Sequence, residues 1–264
     1  MLPFIHIGHL SLPTFGVMLW LAAVAAAFVM DRAFRRVGIT ADAVGMVAIA
    51  VVLGVVGAKL WHVIDTPIEF HEEGWQVFWS TAGFAWFGGL LFGISALVVQ
   101  GWWAKIGGLR TLDLAAPSAA IGYGIGRIGC FLSGDGCYGI ETKLQWPWGM
   151  SFPNGIDPTP PGVRVIPTPL FELGAGLLIG WWLWRRLGKT HATGTIVGQY
   201  LVLSGIARFL VEFIRRNPKV LWGLSNAQLA SLGSAVLGVV LIFWAANRRV
   251  VAPETTAAAV EKPA

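Results

Sequence analysis

Arg127 lies within a glycine run, Gly122-Tyr123-Gly124-Ile125-Gly126-Arg127-Ile128-Gly129-Cys130, which continues into Ser133-Gly134-Asp135-Gly136-Cys137-Tyr138-Gly139. A guanidinium is a permanent cation whose planar fork of donors matches phosphate or carboxylate oxygens. Glycines beside it let the backbone approach a headgroup closely, and a Gly-Asp-Gly turn can offer amide donors to an anion. Further along, Arg208 and Glu212 are four residues apart and can pair on one helical face. Glu172 and Lys59 complete a set of charges that fall inside or at the edge of apolar stretches. A charge at bilayer depth costs at least about 2.5 kcal/mol, so each is expected to face a protein interior or a polar cavity. The set holds three cations, Lys59, Arg127 and Arg208, against two carboxylates, Glu172 and Glu212. Neutralisation between Arg208 and Glu212 is the simple structural reading, but it leaves Arg127 and Lys59 short of acid. An excess of cation inside a membrane cavity points to an anionic ligand. If the five groups converge, they form one polar chamber.

The elements that must carry these groups are read from the apolar pattern. Of 264 residues, 55% are hydrophobic and 12% charged, roughly half the charged share of an ordinary soluble domain. The charges are clustered, and the apolar stretches between them are roughly 18 to 22 residues, the length of an α-helix that crosses about 30 Å of hydrocarbon. Fourteen Trp fit the same setting, since indoles favour the membrane interface. The fold expected is all-α, a polytopic membrane protein with seven spans at about 12–30, 42–63, 83–104, 111–132, 168–185, 194–214 and 226–247. No Lys or Arg precedes the first apolar run, so that run is read as a retained span rather than a signal peptide.

Charge sets the orientation. Arg32, Arg35 and Arg36 follow span 1, Lys105 and Arg110 follow span 3, Arg185, Arg186 and Lys189 follow span 5, and Arg248 and Arg249 follow span 7. The connection after span 2 instead carries Asp65, Glu69, Glu72 and Glu73. Positive loops stay in the cytoplasm, which puts the N-terminus outside and the C-terminus inside. Arg215, Arg216 and Lys219 break the pattern on the outer side, and a site for an anion is a reason to place them there. The net charge of +5 is thus a topological signal, not a nucleic-acid patch. Residues 1–250 read as one membrane domain and 251–264 as a disordered cytoplasmic tail. The Pro-rich outer segment 133–168 is too long for a simple turn and is a candidate functional loop. Cys130 and Cys137 cannot build a disulfide framework. They could pair across a turn facing an oxidising compartment, or serve as small packed residues. No His/Cys/Asp cluster has the spacing of a metal site, and no cofactor is implied.

These motifs resemble the prolipoprotein diacylglyceryl transferase family, in order, from Ser11-Leu12 through the seventh span. The resemblance is strongest at Gly126-Arg127-Ile128-Gly129 with its Gly-Asp-Gly turn. It extends through Pro167-Thr168-Pro169-Leu170-Phe171-Glu172 and Arg208-x-x-x-Glu212-Phe213-x-Arg215, with Gly57-Ala58-Lys59 and Gly88-Gly89-Leu90 matching in place. It implies an enzyme of the bacterial plasma membrane, its active site facing the outer leaflet. Such an enzyme moves the diacylglyceryl group of phosphatidylglycerol to the lipobox cysteine in a prolipoprotein signal peptide. By that resemblance Arg127, with Gly126, Gly129, Gly134, Asp135 and Gly139, would hold the lipid phosphate. Arg208 would assist at the reacting headgroup, Glu172 and Glu212 would orient the arginines or the peptide, and Lys59 and Arg215 would support the site. The chain departs from the family pattern where Phe87 replaces His, Cys130 replaces Asn, Ile166 replaces His and Phe15 replaces Tyr.

The implied reaction needs a thiolate and a stabilised phosphate leaving group. His62 is one candidate base, although a lone interfacial His also serves as a polar anchor. Asp135 and Glu172 are alternatives, or nearby cations lower the substrate thiol's pKa enough that no base is needed. Two other classes fit a cationic membrane cavity: a non-catalytic lipid- or lipoprotein-binding relative, and a small anion transporter.

Overall fold

Where apolar residues run without interruption, the chain forms helices. The computed structural model describes residues 1–80, 83–189 and 191–247. Seven helices of at least 18 residues occur among them: α1 (Thr14–Arg36), α2 (Ala43–Asp65), α5 (Trp86–Trp103), α6 (Gly108–Ser133), α7 (Thr168–Arg186), α8 (Thr195–Glu212) and α9 (Asn226–Ala246). Two short helices, α3 (Pro67–Glu73) and α4 (Gln76–Trp79), fill the acidic connection between α2 and α5. Pro67 stands in the first turn of α3, where its missing N–H costs nothing. The all-α expectation needs one addition, since a hairpin of β1 (Phe4–Ile7) and β2 (Leu10–Pro13) precedes α1. Arg248, Arg249 and the expected tail 251–264 lie outside the described residues.

Several basic residues expected in loops belong to helices. Arg32, Arg35 and Arg36 extend α1, Arg185 and Arg186 finish α7, and Arg110 lies in the first turn of α6. Arginine is a good helix former, and at a C-terminus it also complements the helix dipole. Hence α1 and α7 run past the apolar stretch that announces them.

Five helices, α1, α2, α5, α8 and α9, are long and apolar enough to cross a membrane by length and composition, which makes the chain a polytopic membrane protein. Their outward faces are apolar, with Trp20, Val52, Leu91, Leu210 and Val236 exposed. Of the remaining long helices, α6 packs inside, while α7 lies against α6 and α8 and keeps Leu178 and Trp181 exposed. α6 lies against α1, α5, α7 and α8, and protein neighbours tolerate the Asp, Arg, Ser and Gly that lipid would not.

Small residues bring the helices together. A Cβ on Gly57 would stand 2.6 Å from the Gly88 carbonyl, so α2 and α5 meet backbone to backbone. Gly176 does the same for α7 against the Ala120 carbonyl of α6, and Gly205 for α8 against the Ser231 carbonyl of α9. Without a hydrophobic drive between helices in lipid, such contact provides the attraction.

The two ends of the bundle differ. At one end Met30, Phe34, Met46, Leu114, Leu183 and Ile196 form the main apolar core. There Arg36 donates to the Trp184 carbonyl at 3.1 Å, and Asp113 accepts from the Gly194 and Val197 amides at 2.6 and 2.8 Å. That end collects the ends of α1 and α7 and the starts of α6 and α8. The opposite end collects the end of α6, the start of α7 and the end of α8, and with them the charged residues of the site.

Candidate active site

Glu172, one turn into α7, is 2% exposed and acts as the hub. Arg127 Nε lies 3.3 Å from its Oε2, Arg215 Nη1 3.3 Å from the same oxygen, and Arg208 Nη1 3.5 Å from Oε1. The Tyr123 hydroxyl donates to Glu172 Oε1 at 2.7 Å and accepts from Arg127 Nη2 at 2.9 Å. Glu212, at the end of α8 and fully buried, takes Arg208 Nη1 at 2.8 Å and Arg215 Nε at 3.8 Å. Its second oxygen accepts from Asn217 at 2.6 Å and from Ser225 at 2.7 Å. Arg208 and Glu212 therefore pair as their spacing predicts, yet the pair is part of a larger network. Sequence reasoning missed Tyr123, Asn217 and Ser225. For Tyr123 a signal existed, since four residues before Arg127 is the same helical face. Asn217 and Ser225 arrive through the turn into α9, which carries no such spacing.

Lys59, expected in the same chamber, has contacts in the connection after α2. Its ammonium donates to the Val77 and Ser80 carbonyls at 3.1 and 2.8 Å and lies 4.3 Å from the Phe84 ring centroid. The reason is packing: α2 lies against α5 and α1, so its side chains meet the α4 turn. His62, three residues on, has its Nε2 3.4 Å from the Thr66 hydroxyl, and its ring fills the space beside Gly83. Arg215, expected as a supporting residue, pairs with both Glu172 and Glu212, so three guanidiniums face two carboxylates.

The long connection brings Arg215 in. Segment 134–167 folds back through Gly139 N–H to the Ile166 carbonyl at 2.8 Å and Ile140 N–H to the Ile214 carbonyl at 2.9 Å, around Tyr138, Phe152 and Val165. Gly134 ends α6 in the left-handed conformation, φ +60°, as a helix C-terminus favours. Gly139 lets the chain pass against the Ile214 carbonyl, and Gly129 makes room for Met18 and Phe15 of α1. Gly126 differs, because a Cβ there would meet nothing within 4 Å. Asp135 Oδ1 accepts the Cys137 amide at 3.1 Å. Spacing gave no metal-ligand set, but donor atoms of Cys130, Asp135 and Cys137 all lie within 4.8 Å of one another. Arg127 Nη1 stands 3.7 and 4.0 Å from the two sulfurs.

Such a network has buried carboxylates that hold more guanidiniums than they neutralise, and chemically it can accept an oxyanion. Comparison with known proteins gives it a family. The family model described as prolipoprotein diacylglyceryl transferase matches residues 3–244. The chain belongs to this family. Relatives named phosphatidylglycerol–prolipoprotein diacylglyceryl transferase include one from Geobacter sulfurreducens, 31% identical over 94% of this chain and 96% of the relative. One from Methylibium petroleiphilum is 33% identical over 91% of each. Another, from Leptospira interrogans, is 32% identical over 78% of this chain and 72% of its own.

As a prolipoprotein diacylglyceryl transferase family member, the chain is a transferase of lipoprotein biosynthesis and a multi-pass membrane protein. Its departures from the family pattern have visible settings. Phe87 is half exposed on α5. Ile166 works through its backbone, donating to the Ile140 carbonyl at 3.1 Å and accepting from Gly139 and Thr168. Phe15 of the transferase packs against Gly129. Cys130 puts its sulfur beside Arg127.

Proposed function

We propose that this transferase moves the diacylglyceryl group of phosphatidylglycerol to the lipobox cysteine of a prolipoprotein, at the outer leaflet of the bacterial plasma membrane. The observation that carries this reading is the network itself: Arg127, Arg208 and Arg215 around Glu172 and Glu212, with one positive charge in excess. The substrate thiolate attacks the glyceryl carbon that bears the phosphate. A C–S bond forms, the C–O bond to phosphate breaks, and glycerol phosphate leaves. As that bond breaks, the phosphate passes from one negative charge toward two. Guanidiniums already in place stabilise this developing charge more than the ground state, which is what lowers a barrier.

In this reading Arg127 binds the phosphate from the Gly126 side, where a Cβ would have open space. Arg208 reaches the reacting headgroup, Glu172 and Glu212 hold the arginines, and Arg215 supports them. His62 is one candidate base for the incoming thiol, with Asp135 and Glu172 the alternatives, or the guanidiniums favour the thiolate without a base. Gly134, Asp135 and Gly139 shape the loop beside the phosphate. The chain crosses the membrane seven times, with the N-terminus outside, the C-terminus in the cytoplasm and residues 1–250 as one membrane domain. The separation of the basic ends of α1 and α7 from the site supports this orientation.

The test uses purified protein, phosphatidylglycerol and a lipobox peptide, with release of glycerol phosphate followed. Wild-type protein releases it and Arg127→Ala does not. No release by wild type, where a relative works under the same conditions, sinks the reading.

A further inference from the structure

Cys130 lies in the last turn of α6 and Cys137 in the turn beyond it. They are the chain's two cysteines, and both thiols are free. Gly134 and Gly136, at φ +60° and +78°, reverse the backbone between them, so the sulfurs come within 4.8 Å of each other. The Cys137 backbone is fixed on both sides: its amide donates to Asp135 at 3.1 Å, and its carbonyl accepts from Thr168 at 2.6 Å. Arg127 Nη1 faces both sulfurs, 3.7 Å from Cys130 and 4.0 Å from Cys137.

With the Asp135 oxygen, these sulfurs offer three donors to a thiophilic cation, but a guanidinium on the sulfurs repels one. The same guanidinium favours thiolate, the species that reacts in disulfide exchange. Access separates the two sulfurs: Cys130 is 7% exposed, whereas Cys137 is only partly buried. The Cys137 thiol is drawn down to about 7, chiefly by its hydrogen bond with Cys130 and against the effect of burial.

We propose that Cys130 and Cys137 are a dithiol–disulfide pair, a covalent modification site set directly against the Arg127 guanidinium. Cys137 thiolate attacks a low-molecular-weight disulfide, breaking its S–S bond and expelling one small thiolate. Cys130 then loses its proton to that thiolate and attacks the Cys137 sulfur, expelling the second. One small disulfide and two protein thiols become one protein disulfide and two small thiols. Closing the bond requires the sulfurs to approach to about 2.0 Å, by rotation of the two side chains on a backbone that is already held.

The bond also changes the site. A Cys137 thiolate is an anion beside Arg127 and competes with phosphate for it, and the disulfide removes that charge. Resting on the transferase reading, the oxidised form should therefore show a KM for phosphatidylglycerol several-fold below that of the reduced form.

Oxidised glutathione is the probe. Purified full chain is incubated with it, alkylated, and weighed intact. Wild type is expected to lose two hydrogens and take no alkyl label, while Cys130→Ser retains one glutathione on Cys137. Two alkylated thiols in wild type, or glutathione on both sulfurs, overturn the pair. So does Cys130→Ser without an adduct, with Cys130→Ala as the second variant should the serine fail to fold. A disulfide that forms without altering KM overturns the coupling to Arg127 and leaves the transfer reaction intact. Absence of turnover in both forms, with the disulfide present, overturns the transferase reading and not the pair.

Discussion

The Tyr123 hydroxyl donates to Glu172 and accepts from Arg127, and the Arg127 guanidinium also lies 4.8 Å from the centre of its ring. One side chain thus sets both the position of the proposed phosphate ligand and that of its counter-ion. A hydrogen bond to a charged group contributes about 1.5–3 kcal/mol, and each 1.36 kcal/mol is about tenfold in rate. Tyr123→Phe is therefore expected to lower kcat/KM about 10- to 100-fold with the fold retained, and wild-type kinetics would remove Tyr123 from the site. Glu172→Gln acts differently, because it leaves three guanidiniums around a single carboxylate. Breaking a buried ion pair costs about 3–5 kcal/mol, so melting in detergent should fall clearly. An unchanged melting temperature would show that Glu172 is not the hub of the network.

At the scale of elements, the glycines divide by what their missing side chains accommodate. Gly88 meets the Gly57 carbonyl and the Trp61 side chain across the α2–α5 contact, with no space for a Cβ. Gly88→Val must push these helices apart, and the expected result is a lower melting temperature in detergent together with reduced activity. Gly126 has open space on the same criterion. Gly126→Leu should keep the wild-type melting temperature while raising KM for phosphatidylglycerol, as the new side chain enters the room assigned to the lipid headgroup. A destabilised Gly126→Leu, or one with unchanged KM, would return that glycine to a packing role. In sequence both glycines sit in small-residue runs, and only their neighbours separate them.

For the whole molecule, the charge at the two ends of the bundle makes orientation measurable. In a background with both cysteines changed to Ser, Glu72→Cys and Lys189→Cys put single thiols at exposed positions of opposite ends. A membrane-impermeant maleimide added to intact cells should label the first and not the second. The reverse pattern would invert the proposed topology. The two ends also differ in emphasis: the main apolar core lies at the basic end, while buried ion pairs and a smaller apolar cluster lie at the site end. Changes at the core end should therefore lower stability before chemistry, whereas loss of a buried carboxylate at the site end should lower both.

What the sequence by itself determined was the set of long helices and the residues able to bind an oxyanion. Apolar length and the cost of a charge in lipid are local properties, and Arg127, Glu172, Arg208 and Glu212 stand out against their surroundings in one dimension. Tertiary structure decided which of those charges meet. Lys59 looks like a member of the site by depth, but α2 packs on α5 and delivers it to the Val77 and Ser80 carbonyls. Arg215 is expected beside the site, but its partner is not, and the fold-back of segment 134–167 onto Ile214 seats it against Glu172. Depth along a helix is written in the sequence; the direction a helix faces is set by its neighbours.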